Sequence, residues 1–111
     1  MKGRFVPDAG DLVWVNFAPS AGHEQTGRRP ALVLSPATYN RKTSLMICCA
    51  LTTRIKGYPF EVAIGGLPAA AVLADQIKTL DWRARKLTKK GMVSAAELGE
   101  VRAKIRALLG L

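Results

Sequence analysis

The sequence contains few of the residues from which metal sites and disulfide frameworks are built. It has one histidine and two cysteines, and the cysteines, Cys48 and Cys49, are neighbours. A zinc site needs three or four ligands at suitable spacing, and adjacent residues on a strand point to opposite faces, so these thiols cannot easily bridge each other. We therefore expect no metal, no other cofactor and two reduced, partly buried thiols. A catalytic thiol partnered by the one histidine stays open as an alternative.

Long apolar runs are also absent. No run reaches the roughly 18–20 residues that cross a bilayer, and the basic N-terminus lacks the apolar region of a secretion signal, so we expect a cytoplasmic protein with no membrane association. The phosphate-binding loop, the dinucleotide-binding glycine motif and the G-x-S-x-G nucleophile motif are missing too. The chain has 111 residues, which predicts a single domain over 1–111.

Acidic residues are scarce relative to basic ones. Eight Asp and Glu stand against 17 Lys and Arg, which gives a formal net charge of +9. A small domain with such an excess attracts polyanions, so the composition indicates RNA, DNA or an acidic protein as partner. The alternative is that the charge serves solubility alone.

What is present is a series of short strand-like segments and one terminal helix. Ser94 and Glu97 have the spacing of a capping box, and Leu98, Val101, Ile105 and Leu108 follow as an apolar stripe at helical spacing, before the C-terminal stop at Gly110. Residues 36–43 and 65–68 read as turns. Together the pattern predicts a mainly β protein, a small, partly open antiparallel barrel with a terminal helix. Strands are predicted at 11–17, 29–35, 45–51, 60–64, 72–74, 77–80 and 87–93.

The loop before the second predicted strand carries the first candidate for chemistry. Glu24 precedes Arg29 by five residues, and RNA supplies its own nucleophile, the 2′-hydroxyl. Glu24 could remove that proton, and Arg28 and Arg29 could neutralise the charge that develops on the phosphate. Thr52, at the end of the third predicted strand, could donate to a phosphate oxygen. A surface salt bridge and a strand-stabilising threonine are the plainer alternatives.

Basic residues are interleaved with aromatic ones in the second half of the chain. This mixture suits single-stranded RNA, in which phosphates pair with cations and bases stack on rings. A solvated basic face is the alternative. The residues concerned are Lys56, Tyr58, Trp82, Arg83, Arg85 and Lys86.

Taken together, several segments resemble the MazF family of toxin endoribonucleases, and the enterobacterial MazF branch in particular. The resemblance runs from Phe5 to the terminal helix. The segments that carry it are Val6-Pro7-Asp8, Glu24-Gln25-x-Gly-x-Arg29-Pro30, Leu34-Ser35-Pro36, Thr52-Thr53, Lys56-Gly57-Tyr58-Pro59-Phe60-Glu61-Val62 and Leu73-Ala74-Asp75-Gln76.

The resemblance implies an SH3-like barrel that works as a homodimer and cleaves single-stranded RNA at short motifs without a metal. The implied products are a 2′,3′-cyclic phosphate and a 5′-hydroxyl. It also implies a MazE-like antitoxin whose acidic, disordered tail covers the RNA groove. By position, Glu24, Arg29 and Thr52 match the family's catalytic residues. RNA contacts are expected from the groove positions Asn40, Lys56 and Gln76, and from Gln25, Arg28, Arg83, Arg85 and Lys86.

Two other functions remain as alternatives. A non-catalytic RNA-binding module would share the basic surface but yield no product. A gyrase-poisoning toxin of the CcdB type would share the barrel, but such toxins act through a Trp-containing C-terminus, whereas this chain ends Leu109-Gly110-Leu111.

Overall fold

Six strands form one antiparallel sheet that curls into a half-barrel, in the order β4-β5-β3-β2-β1-β6. The computed structural model describes residues 5–16, 28–65 and 69–111. The mainly β fold with a terminal helix is therefore as predicted. The elements are β1 (Asp11–Asn16), β2 (Arg28–Val33), α1 (Ala37–Thr43), β3 (Leu45–Thr52), β4 (Glu61–Ile64), β5 (Ala70–Asp81), β6 (Thr88–Met92) and α2 (Ala95–Leu109).

The sheet separates two apolar clusters, one on each face. The first cluster contains Leu32, Cys49 and Val101 and is covered by α2. The second contains Val33, Cys48 and other side chains. The two cysteines thus face opposite sides of β3, as expected, and both are free and buried. Burial raises the pKa of each thiol to about 12, so both stay protonated at neutral pH.

The terminal helix begins and ends as the sequence predicts. The Ser94 hydroxyl accepts from the Glu97 N–H at 3.0 Å, and the Glu97 carboxylate accepts from the Ser94 N–H at 2.8 Å. Gly110 ends α2 in the left-handed region with φ 73°. Val101 is fully buried, whereas Leu108, the last residue of the predicted apolar stripe, is half exposed. No helix in the described part of the chain is long and apolar enough to cross a membrane.

Residues 37–43 form a helix, so the predicted turn is wrong. A helix of seven residues is too short to be stable alone, and tertiary contacts must hold it. The Asp8 carboxylate supplies one such contact, since it accepts from the N–H of Ala37 at 2.9 Å. Asn40 supplies the other from the fully buried side of the helix.

The two short strands predicted at 72–74 and 77–80 are parts of one strand, β5. It pairs with β3 on one side and with β4 on the other. Asp75 and Gln76, which interrupt the apolar pattern, lie in the extended chain between these halves. Their exposure is therefore a feature of the sheet itself rather than of a connecting turn.

Candidate nucleic-acid interface

The register between β2 and β3 brings Arg29 and Thr52 toward each other. Ala31 pairs with Ala50 across the two antiparallel strands. The same register continued by two residues sets Arg29 opposite Thr52, and alternation places both on the face that holds Val33. Side chains directly opposite on neighbouring strands lie within reach of one another. The continued register thus sets a residue with a guanidinium across from a residue with a hydroxyl at the end of the sheet.

A cavity of about 250 Å³ opens where β3 ends. It contains three of the residues assigned from the sequence, Thr52, Lys56 and Gln76, which come from β3, from the loop before β4 and from β5. The full lining is Thr52, Arg54, Lys56, Tyr58, Phe60, Glu61, Leu73, Asp75 and Gln76. The structure therefore gathers residues that are up to 24 positions apart in the sequence.

A bulge in β5 forms one wall of this cavity. Cys49 and Leu51 of β3 are separated by one residue. Their pairing partners on β5, Ile77 and Val72, are separated by four residues, 73–76. Such bulges bend a strand and redirect its side chains, often beside functional sites. Here the bulge leaves Asp75 and Gln76 exposed at the cavity.

The Thr52 hydroxyl is fixed by the chain that follows it. Its oxygen accepts from the N–H of Arg54 at 3.0 Å. A hydroxyl has one proton to donate and two lone pairs that accept, so this contact leaves the Thr52 proton available to a substrate oxygen. The geometry fits a donor to phosphate.

The loop between β3 and β4 is held by a carboxylate from β4. Glu61 accepts from the N–H of Gly57 at 2.9 Å and from the N–H of Lys56 at 3.2 Å. Gly57 has φ +80°, a conformation that other residues rarely adopt. The Tyr58 ring stacks on Phe60 with centroids 5.2 Å apart. This loop thus presents two cations, Arg54 and Lys56, and one stacked aromatic pair.

The basic run that follows β5 lies outside this cavity and is largely engaged with the protein. The Arg83 guanidinium lies 4.5 Å from the centroid of the Trp82 ring and donates to the Ser44 hydroxyl at 2.8 Å. Arg85 donates to the carbonyl of Asn16 at 3.2 Å. Lys86 is exposed and adopts a left-handed conformation with φ 51°. A second cavity, of about 380 Å³, lies at this end of the molecule and is lined by Phe5, Trp82, Arg83, Lys86 and Leu87.

Arg28 lies at the first position of β2 and is exposed. Its guanidinium donates to the hydroxyl of Thr88 on β6. This contact directs Arg28 toward the β6 edge of the sheet, whereas alternation directs Arg29 to the opposite face. The two adjacent arginines therefore have different surroundings.

Asn40 is not a surface residue, and the prediction that it contacts RNA directly is wrong for this structure. It is fully buried. The Ser35 hydroxyl donates to its Oδ1 at 2.6 Å, and its Nδ2 donates to the carbonyls of Pro7 and Ser35 at 2.7 and 2.9 Å. The indole N–H of Trp82 donates to its main-chain carbonyl at 2.9 Å. Asn40 therefore joins α1 to its surroundings and has no amide group left for a ligand.

Two assigned residues, Glu24 and Gln25, lie outside the described residues. Conversely, the cavity includes Arg54, Glu61 and Asp75, to which the sequence analysis gave no role. The sequence signal that could have identified Asp75 as a cavity residue was the break that Asp75 and Gln76 make in an apolar strand pattern. Within the described ranges no three His, Cys, Asp or Glu side chains are grouped so that they could hold a metal ion.

Residues 8–109 match the family model described as PemK-like, MazF-like toxin of type II toxin-antitoxin system. The chain is 54% identical over 111 residues to the endoribonuclease toxin MazF of Escherichia coli K12, which covers 99% of this chain and 100% of that protein. It is 31% identical to the endoribonuclease PemK of Escherichia coli over 92% of this chain and 81% of that protein.

Solved structures show the same fold. A crystal structure of MazF from Deinococcus radiodurans matches with a TM-score of 0.88 and 55% identity, over 97% of this chain and 100% of that one. A MazE-MazF crystal structure from the same organism matches with a TM-score of 0.87 and 49% identity, over 97% and 99%. The half-barrel with its terminal helix is the architecture of these proteins.

Proposed function

The chain belongs to the PemK-like, MazF-like family of toxins of type II toxin-antitoxin systems, and we propose that it acts as a metal-independent endoribonuclease on single-stranded RNA. Relatives from Escherichia coli carry the name endoribonuclease, and the chain is an endoribonuclease toxin of this kind. The observation that supports the mechanism is the β2–β3 register, which, continued by two residues beyond the Ala31–Ala50 pair, sets Arg29 opposite Thr52; Thr52 in turn lines the cavity.

The proposed reaction uses the nucleophile that RNA already contains. The 2′-oxygen forms a bond to the adjacent phosphorus as its proton leaves, and the bond from phosphorus to the 5′-oxygen breaks as that oxygen takes up a proton. The products are a 2′,3′-cyclic phosphate and a 5′-hydroxyl. No metal is required by this scheme, because the attacking group is supplied by the substrate and the charge is met by the protein.

Each residue has a distinct role in this scheme. The planar guanidinium of Arg29 donates to two equatorial phosphate oxygens as negative charge develops there. The Thr52 proton, left free by the contact with Arg54, donates to the same phosphate. Glu24 acts as the base that removes the 2′-proton.

The remaining cavity residues bind RNA rather than transform it. Lys56 is held by the Glu61 carboxylate on its N–H and pairs with a backbone phosphate. Gln76, exposed on the β5 bulge, donates and accepts hydrogen bonds with a nucleotide. Gln25, Arg28, Arg83, Arg85 and Lys86 are proposed as contacts for the nucleotides that flank the cleaved bond.

We further propose a cytoplasmic homodimer that is inhibited by a MazE-like antitoxin. MazE-MazF is the subject of three of the matching structures, and the net charge of +9 favours an acidic, disordered tail. The tail and RNA would compete for the same basic surface. Sedimentation should give a dimer of about 24 kDa, twice the 12.0 kDa chain, and a fully active monomer would contradict it.

The direct test is incubation of the pure protein with a long unstructured RNA in EDTA, followed by mapping of 5′-hydroxyl ends. We expect cuts at a defined short motif. Activity lost in EDTA and restored by Mg²⁺ would overturn the metal-independent scheme. Binding without any product would instead identify a non-catalytic RNA-binding module, and a supercoiling assay on the same preparation would reveal a gyrase poison.

A further inference from the structure

One side chain that lines the cavity beside Thr52 carries a charge that opposes RNA. Glu61 is the first residue of β4, and it lines the cavity together with Arg54 and Lys56. A carboxylate and a phosphate repel each other. On charge alone, Glu61 should therefore weaken RNA binding, and its removal should strengthen RNA binding.

The hydrogen bonds of Glu61 give it a second effect, which acts in the opposite direction. Both carboxylate oxygens lie 3.2 Å from the main-chain nitrogen of Lys56, and one of them accepts from the N–H of Gly57 at 2.9 Å. The N–H of Glu61 donates to the carbonyl of Tyr58 at 3.0 Å. Successive main-chain N–H groups form a concavity that binds an anion. In this loop the anion is a side chain of the protein itself.

The loop that receives this carboxylate depends on hydrogen bonds, whereas the strand that supplies it is anchored in the fold. Residues 53–59 are all exposed, so burial does not hold them in place. Val62, the next residue of β4, is fully buried and pairs with Val72 of β5. The carbonyl of Phe60 accepts from the N–H of Ala74 at 3.1 Å. The carboxylate therefore connects an exposed loop to a fixed strand.

We propose that Glu61 is a positioning residue for RNA binding, whose carboxylate holds the backbone at 56–57 so that the Lys56 ammonium is presented to a backbone phosphate. The inference rests on the endoribonuclease function proposed above, and it adds the residue that orders the phosphate-binding loop. Glu61 takes no part in the bond changes at phosphorus.

Two opposing effects of Glu61 decide the sign of its contribution. Ordering a flexible side chain and its loop on binding weakens affinity, and a loop that is already held avoids part of this cost. The repulsion between the carboxylate and RNA is reduced by water and salt, because the loop is exposed. The gain from ordering therefore exceeds the repulsion, and Glu61 strengthens the binding of a polyanion.

Four variants separate positioning from charge. Glu61→Ala removes the charge and the hydrogen bonds, whereas Glu61→Gln removes the charge and keeps an acceptor oxygen. Gly57→Ala leaves the charge unchanged and strains the backbone at φ +80°, where an added Cβ would meet nothing within 4 Å. Glu100→Ala removes an exposed carboxylate from α2 and is the matched control. Circular dichroism checks that each variant is folded.

The first measurement is the affinity for a non-cleavable 2′-deoxy RNA analogue, together with kcat and KM for RNA in EDTA. Glu61→Ala should weaken binding and raise KM by roughly 3- to 10-fold, with kcat close to that of the wild type. Gly57→Ala should change both in the same direction. Glu61→Gln and Glu100→Ala should bind as tightly as the wild type or slightly more tightly.

A double variant tests whether Glu61 acts through Lys56. In the Lys56→Ala protein the cation to be positioned is absent, so a further Glu61→Ala change should weaken binding by a smaller factor than it does in the wild type. Residues that act through each other give such non-additive effects.

The second measurement does not involve RNA. Trypsin cleaves after lysine, and exposed segments are cleaved faster when they open more often. Limited digestion should therefore cut the Lys56–Gly57 bond several-fold faster in Glu61→Ala than in the wild type or in Glu100→Ala. Mass spectrometry of the fragments identifies the bond that is cut.

Three results would overturn the inference without touching the proposed function. One is a folded Glu61→Ala protein that binds RNA as tightly as the wild type or more tightly, since Glu61 would then act only as a charge. The second is an equal effect of Glu61→Ala with and without Lys56, and the third is an unchanged rate of cutting after Lys56. A wild-type protein that neither binds nor cuts RNA would instead refute the proposed function, and the inference would fall with it.

Discussion

At the scale of the residue, Arg29 and Thr52 are related by a strand register and differ in what they offer a phosphate. The guanidinium offers charge and a planar pair of donors. The hydroxyl offers a single proton, and its oxygen accepts from the N–H of Arg54 at 3.0 Å. Because the two side chains belong to adjacent strands, substituting one should leave the other in place. The contribution of each to the cleavage rate can therefore be measured separately.

Arg29→Ala should slow cleavage by roughly 10²–10³-fold in kcat, the loss typical of one transition-state donor. Arg29→Lys should recover only part of it, since lysine keeps the charge and loses the planar fork. Arg102→Ala, on the exposed side of α2, is the control for charge. Single-turnover cleavage of a labelled RNA measures all three, and near wild-type activity of Arg29→Ala would refute the phosphate role.

Thr52→Val should retain the strand and lose roughly 10²-fold in rate, because valine has the shape of threonine without its donor. Thr52→Ser keeps the hydroxyl and should stay within a few fold of the wild type. The same single-turnover assay applies, together with thermal unfolding of each variant. Equal activity of the valine and serine variants would show that the hydroxyl is not used.

Asn40 shows where an assignment made residue by residue fails. Its position in the resemblance placed it in an RNA groove, and nothing in the local sequence distinguishes an exposed asparagine from a buried one. Its surroundings come from Pro7 and Trp82, 33 and 42 residues away. Such contacts arise from the tertiary fold. Thr52, Lys56 and Gln76, in contrast, line one cavity, and their roles there stay predictions.

At the scale of the element, the strands and α2 follow from local patterns that the tertiary structure does not override. Apolar alternation, turn residues and the Ser94–Glu97 capping box are all readable in sequence. The α1 helix is not, because its N-terminus is capped by Asp8 from a distant part of the chain. The β5 bulge is equally unreadable, since it is defined by where β3 and β5 pair.

The α2 cap should make stability depend on pH. Hydrogen bonds from the N–H groups of Gly65 and Ser94 lower the pKa of Glu97, so ionised Glu97 stabilises the fold above the unfolded-state pKa of about 4.3. This contribution is lost as pH falls through the lowered pKa of the folded state. Glu97→Gln should therefore reduce Tm at pH 7.

The difference in Tm between Glu97→Gln and the wild type should shrink as the pH is lowered below about 4. Glutamine can still complete a capping box, so the comparison isolates the charge. Glu100→Gln, which removes an exposed carboxylate from the same helix, is the control and should show a smaller pH-dependent difference. A Glu97→Gln difference that persists unchanged at acid pH would contradict the account.

At the scale of the whole molecule, the basic residues that produce the net charge of +9 do not all have the same role. Lys56 faces the cavity, whereas Arg83 and Arg85 are engaged by Ser44 and Asn16. Net charge alone predicts a polyanion partner but does not say which cations meet it. The structure therefore divides the basic residues into a site group and a group that also holds the fold.

RNA binding should weaken steeply as salt increases, with each phosphate contact contributing about −0.7 to the slope of log K against log salt. Lys56→Ala should flatten the slope by about that amount, and Arg102→Ala should leave it unchanged. Fluorescence anisotropy of a non-cleavable 2′-deoxy analogue, titrated at a series of salt concentrations, measures the slope for each variant. Equal slopes for the wild type and Lys56→Ala would remove Lys56 from the phosphate contacts.

The central claim is that this protein cleaves RNA by directing the substrate's own 2′-hydroxyl at phosphorus, and one substrate change tests it most directly. An RNA carrying the cleavage motif is compared with the same RNA bearing a single 2′-deoxy nucleotide on the 5′ side of the scissile phosphate, both in EDTA. The account predicts cleavage of the first to a 2′,3′-cyclic phosphate and a 5′-hydroxyl, and none of the second at that bond. Cleavage of the deoxy-substituted bond at a comparable rate would contradict it.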